Sequence, residues 1–155
     1  MAARALIIGI GNEARGDDAV GVLAARRIDA LHLDGVIVLT EQRDGASLIA
    51  DWQQTAAPRV YLIDAAVSGE APGTVRRREL SAERLPRLDE RTSSHSLGIA
   101  QAVEMARILG CLPPSLVLYT VEAQQFGLET PLTPEVARAV RAVAARICAE
   151  IDSSP

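Results

Sequence analysis

Aromatic side chains are scarce in this chain of 155 residues, of which only 3% are Phe, Trp or Tyr. The interior therefore has to be built from Ala, Val, Leu and Ile, which dominate a hydrophobic fraction of 48%. Cysteine is equally sparse. Cys111 and Cys148 lie far apart and form no C-x-x-C pair, which excludes zinc-ribbon and thioredoxin-like chemistry; Cys148 reads as a small core residue of the last helix. Cys111 has no activating neighbour and is not read as a nucleophile. No apolar run reaches membrane-spanning length, and an apolar strand pattern begins almost at the N-terminus without a signal-peptide layout. A cytoplasmic protein is expected, and a net charge of -4 argues against nucleic acid or an anionic membrane as its main partner. Repeats and flexible linkers are missing too, so residues 1–155 are expected to form one domain. A G-x-S-x-G turn is absent, which disfavours a serine nucleophile; Ser93, Ser94 and Ser96 suit helix capping better.

What is present is organised around residues 5–28, ALIIGIGNEARGDDAVGVLAARRI. A compact apolar run passes through Gly9-Ile10-Gly11-Asn12 into a pattern at Val20, Leu23, Ala24, Ile28 and Leu31 that fits one helical face. Glu13, Arg15, Asp17 and Asp18 fall between the two elements, past the carboxyl end of the strand, where open α/β sheets carry their chemistry. Two glycines suggest a phosphate-binding turn. Position 14 is Ala14, however, and two aspartates stand where phosphate charge would arrive, so that reading is weak. Asp17 as a helix N-cap is the plainer alternative.

Further along, residues 36–40 and 59–64 read as buried strands, the second ending in Asp64, with a short helix over 46–54 anchored by Trp52 between them. Turn chemistry over 68–73 returns directly into a strand at 74–79, too short a connection for a crossover helix, which predicts an antiparallel edge strand. The mixed charges over 76–91 read as a solvated edge. A hydroxyl-rich stretch, 92–98, starts a helix that carries Ile99, Ala102, Val103, Ala106 and Leu109 inward; Pro113-Pro114 ends it before a strand over 116–122 followed by Glu122. Thr133 and Pro134 open a last helix with an apolar stripe at Val136, Val140, Val143, Ile147 and Ile151. The alternation predicts an α/β fold: a three-layer αβα sandwich on a mostly parallel five-stranded sheet, with helices near 17–31, 96–110 and 134–151 covering both faces.

Loops after parallel strands open on one rim, which would bring Asp17 and Asp18 together with Asp64. His95 joins them if its helix starts on that rim, and His32 reads as surface. Two carboxylates and an imidazole suit a divalent transition metal. Taken in order, Gly9-Ile10-Gly11-Asn12, Asp17-Asp18 with Gly21, Asp64, Pro72-Gly73-Thr74, Ser94-His95-Ser96-Leu97-Gly98 and Leu132-Thr133-Pro134 resemble the hydrogenase maturation proteases over nearly the whole chain. The resemblance implies an endopeptidase that removes the C-terminal extension of a nickel-iron hydrogenase large-subunit precursor after nickel insertion. It implies nickel supplied by the precursor as the recognition signal, with no resident cofactor, and Asp18, Asp64 and His95 as both the metal-binding and the catalytic residues, Asp17 being the reserve for Asp18. Many members carry Asp-Gly-Gly-Thr after the second strand, where this chain has Gln42-Arg43-Asp44-Gly45-Ala46. Asp17, Asp44 and Gly45 are expected to shape the substrate cleft, and Asp44-Gly45 with the segment 76–91 to govern partner choice. Metal-assisted and carboxylate-activated hydrolysis both fit these residues. A nucleotide-binding domain without proteolysis and a catalytically silent assembly factor are the alternatives.

Overall fold

Unbroken apolar runs and amphipathic segments alternate along the chain, and each becomes the element its periodicity dictates. A computed structural model describes residues 2–41, 44–83 and 94–153, at residues 94–97 for the main chain alone. Strands β1 (Ala5–Gly9), β2 (Val36–Leu39), β3 (Arg59–Ala66), β4 (Val75–Glu79) and β5 (Ser115–Glu122) form one sheet in the order β2-β1-β3-β5-β4. All neighbours are parallel except β4, which runs antiparallel to β5 at the edge. Helices α1 (Val20–Asp29) and α4 (Pro134–Asp152) cover one face, and α2 (Gly45–Thr55) and α3 (Ser94–Leu109) cover the other. The sandwich expected from the sequence is the one found.

Strand alternation divides the core into two. Ala5, Ile7, Tyr61, Ile63, Val117 and Tyr119 face α1 and α4, while Leu6, Ile8, Val60, Leu62, Leu116 and Leu118 face α2 and α3. A sheet covered on both sides has no polar face, which is why β1 and β3 read as continuous apolar runs. By the same alternation Asp64 shares the α2/α3 side with Val60 and Leu62.

Two local structures differ from the sequence reading. β4 is antiparallel as expected, but its neighbour is β5 rather than β3, so the connection over 67–74 has to cross the end of β5. Glu122, the last residue of β5 and buried, holds that crossing: its carboxylate accepts from the Ser68 N–H (2.7 Å), the Ser68 hydroxyl (2.8 Å) and the Gly69 N–H (3.0 Å). The helix expected over 17–31 is split into a 3-10 turn, Gly16–Ala19, and α1. Asp17 therefore caps nothing. Neither element receives a side-chain cap, and Thr133 does not cap α4 with its hydroxyl either. Asp44 does cap α2, accepting from the Ser47 N–H at 2.8 Å.

Candidate active site

The carboxyl rim of the sheet collects the acids. β1 stops at Gly9 while β3 runs on to Ala66, so Asp64 lies beyond the last β1 pair, with Thr120 of β5 as its partner in register. Asp64 is fully buried, and one carboxylate oxygen accepts from the Ala65 N–H at 2.8 Å. Asp18 reaches the same rim because α1 packs unusually close to the sheet: a Cβ on Gly21 would stand 2.2 Å from the Ile63 carbonyl oxygen and 2.4 Å from that of Ile10. Only glycine permits that approach. Asp18 is 6% exposed, and its Oδ2 accepts from the Asn12 N–H at 2.9 Å. Gly11, at φ 132°, makes the turn that aims this amide; a Cβ there would lie 2.0 Å from the Asp18 carbonyl oxygen.

Whether the helix bearing His95 starts on this rim was open in the sequence. It does. α3 precedes the parallel strand β5, and the first turns of α3 lie against the start of α2, which follows β2: a Cβ on Gly45 would meet the Gly98 carbonyl oxygen at 3.0 Å. α3 also covers the face on which Asp64 lies. The His95 side chain lies outside the described residues; its main chain is in the first turn of α3. Among the described residues no three His, Cys, Asp or Glu side chains group as a metal site, so Asp18 and Asp64 are the two candidate ligands seen directly.

Asp17 goes elsewhere. It is fully buried, and its carboxylate is taken up by the loop between β5 and α4: Oδ2 accepts from the Gln124 and Gln125 N–H groups, both at 2.9 Å, and Oδ1 from the Thr133 N–H at 2.8 Å. The Thr133 hydroxyl adds contacts at 3.1 and 3.2 Å. These bonds make Asp17, expected from the sequence to shape the substrate cleft, a buried staple between the β1–α1 loop and the loop that follows β5. Asp44 is exposed and Gly45 half-buried at the start of α2, on the rim. Of the charged segment 76–91, residues 84–91 lie outside the described residues. Its first part runs away from the rim along β4, with Arg76 paired to Glu70 and Arg77 to Glu150 at 2.5 Å.

A cleft of about 380 Å³ opens on the same rim, between the β1–α1 loop and the end of β2. Asn12, Glu13, Arg26, Thr40 and Glu41 are among its lining residues; Asp17, Asp44 and Gly45 are not. Glu13 and Arg26 form an ion pair across its wall, with the second guanidinium nitrogen at 3.1 Å, and the hydrogen bond and charge of Arg26 hold the Glu13 carboxyl below its ordinary range. Asn12 connects cleft and site, since its side of the loop lines the one while its amide holds Asp18 in the other. Nothing local in the sequence marks Asn12, Glu13, Arg26, Thr40 and Glu41 as one cleft, because it is the strand order that brings the end of β2 to face this loop. A phosphate is poorly served here, because two buried carboxylates occupy the approach to α1.

An open α/β sheet with an acidic carboxyl rim defines the class, and comparison with known proteins gives the family. The HycI hydrogenase maturation protease family profile matches residues 43–150. The chain is 31% identical to the hydrogenase 2 maturation protease of Escherichia coli K12, covering 97% of this chain and 92% of that one. It is also 31% identical to the hydrogenase expression/formation protein HupD of Bradyrhizobium diazoefficiens, over 86% of this chain and 70% of that protein. Among solved structures, the hydrogenase maturating endopeptidase HybD from E. coli superimposes with a TM-score of 0.78 at 27% identity, covering 96% of this chain and 92% of that one. The [NiFe] hydrogenase maturation protease HycI from Thermococcus kodakarensis KOD1 gives 0.73 at 28%, with the same coverage. This chain belongs to the hydrogenase maturation proteases.

Proposed function

We propose that this protein is the endopeptidase that removes the C-terminal extension of a nickel-iron hydrogenase large-subunit precursor, and that it reads the nickel carried by that precursor through Asp18, Asp64 and His95. The observation that carries this reading is the convergence on one rim of Asp18, Asp64 and the first turn of α3. Buried carboxylates close together raise each other's energy, and an arriving dication offsets that repulsion. Main-chain amides fix one oxygen of each carboxylate, which sets its orientation before the metal comes. Two oxygen donors and an imidazole leave positions for the precursor's own ligands. Peptide hydrolysis then needs a group to take a proton from water, and a rim carboxylate is the base this chain provides. A cytoplasmic site of action, with the precursor, belongs to the same reading.

The test is incubation of the protein with nickel-loaded and nickel-free precursor, followed by mass spectrometry of the products. A shortened subunit from the loaded precursor alone is the expected result. Cleavage of neither would overturn the proteolytic reading, and equal cleavage of both would remove nickel as the signal.

A further inference from the structure

The two edges of the sheet differ in kind. β4 carries Arg76, Arg77 and Arg78, charges that discourage pairing with another strand. β2 reads Val36-Ile37-Val38-Leu39, has no charge, and among the described residues pairs with β1 alone. Which of its main-chain groups face outward follows from the register. The Gly35 carbonyl accepts from the Arg4 and Ala5 N–H groups at 2.7 and 3.3 Å, so Gly35 points at β1. Alternation then turns Ile37 and Leu39 toward β1, and Val36, Val38 and Thr40 away from it. The Val36 N–H is taken by the Leu33 carbonyl at 3.2 Å; among the described residues nothing takes up the outward N–H and C=O of Val38. Beside them the Ile37 side chain is 37% exposed.

This edge leads into the candidate site. Past its carboxyl end Thr40 and Glu41 line the cleft opposite Asn12 and Glu13, and the Asn12 amide holds Asp18. We propose that β2 is the docking strand for the substrate, whose C-terminal extension adds to this edge as an extended strand and passes the Thr40–Asn12 cleft to reach the rim. The inference rests on the proteolytic reading above. An extension that starts at a scissile bond on the rim and leads away from it runs opposite to β2, so the added strand is antiparallel, and the residue facing Val38 exchanges two main-chain hydrogen bonds with it. A residue opposite Ile37 shares its face and is best apolar. A peptide fits better than a second copy of the chain: β2 offers only 4 residues, too short a seam for a stable dimer but enough for the few bonds that hold a strand.

Val38→Pro removes the outward N–H while leaving the bonds to β1, which Ile37 and Leu39 make, and proline is tolerated on such an edge. Ile37→Lys leaves the main chain intact and places a charge on the edge. Each is expected to raise KM for the nickel-loaded precursor about tenfold with kcat and melting temperature near wild type. In parallel, hydrogen–deuterium exchange of the wild-type protein with a synthetic peptide of the extension should slow the Val38 and Thr40 amides. Wild-type KM in Ile37→Lys together with unchanged exchange at Val38 would overturn the proposal. So would protection of Val38 without peptide in a concentration-dependent dimer, which would make the edge a self-association surface. If the wild-type protein cleaves no precursor, the proteolytic reading falls instead, and the exchange measurement still decides the edge.

Discussion

Asp17→Ala should destabilise the fold although the residue sits beside a candidate ligand. The carboxylate accepts main-chain bonds from Gln124, Gln125 and Thr133 at 2.8–2.9 Å, plus the Thr133 hydroxyl, and is itself fully buried. A hydrogen bond to a charged acceptor contributes about 1.5–3 kcal/mol when buried. Gln124 and Gln125 are exposed residues, so water can satisfy their amides in the variant and the loss is smaller than the sum. About 3 kcal/mol is a reasonable total, a large share of the roughly 5–15 kcal/mol that holds a domain of this size together. At about 2–4 °C per kcal/mol, the melting temperature should fall by about 6–12 °C. Asp17→Asn, which keeps the shape and one acceptor oxygen but turns an NH2 toward an amide donor, should lie between the two. The assay is thermal unfolding followed by circular dichroism, with urea titration to check that m is unchanged. A melting temperature within about 2 °C of wild type for Asp17→Ala would refute the view that this carboxylate ties the β1–α1 loop to the approach of α4.

Asp18→Asn and His95→Ala should each abolish precursor cleavage with melting temperatures close to wild type; retention of the wild-type cleavage rate by either would remove that residue from the site. Gly21→Ala should cost about 3 kcal/mol, because the added Cβ meets main-chain oxygens of Ile63 and Ile10 that cannot swing aside, and a soluble variant with the wild-type melting temperature would contradict it. Glu150 supplies a pH-dependent term. Its burial disfavours ionisation, but hydrogen bonds from Arg77 and the Tyr119 hydroxyl and the charges of Arg77 and Arg59 outweigh this and hold its pKa below the ordinary 4.5, while Tyr119 is pushed up to about 12 by burial and the same carboxylate. A depressed carboxyl pKa stabilises the fold above the unfolded-state value and loses that contribution as pH falls through the folded one, so the stability gap between wild type and Glu150→Gln should shrink below about pH 4.5. A constant gap from pH 7 to pH 3 in urea melts would show that the ionised form is not what matters.

Much of the fold was legible because it is local. Apolar runs of strand length, Pro58, Pro113-Pro114 and the Thr133-Pro134 start each announce a boundary within a few residues, and the helices and strands fall within a few residues of the expected ranges. Strand order was less legible. The short connection over 67–74 does predict an antiparallel strand, but nothing in it reveals that β5, from the far end of the chain, slides in between β3 and β4. Glu122 accepts three hydrogen bonds from the crossing, and in sequence it is only an acid at the end of a strand.

The site divides in the same way. The pair Asp17-Asp18 and Asp64 could be placed on one rim from strand ends alone, because parallel strands share a direction. The different fates of Asp17 and Asp18 could not, since the partners that distinguish them are Gln124, Gln125 and Thr133, more than a hundred residues away. What they establish bears on function directly. The Asp17 N–H also donates to the Gln125 carbonyl at 2.7 Å, so both main chain and side chain of Asp17 are pinned to the loop that follows β5. β5 is in register with β3 through Asp64 and Thr120. One structural carboxylate thus ties the main chain that carries Asp18 to the same strand that positions Asp64, and the spacing of the two candidate ligands is set by the packing of the sheet rather than by the flexibility of a loop. Under the function proposed above, two carboxylates held this way would meet an incoming cation with little reorganisation.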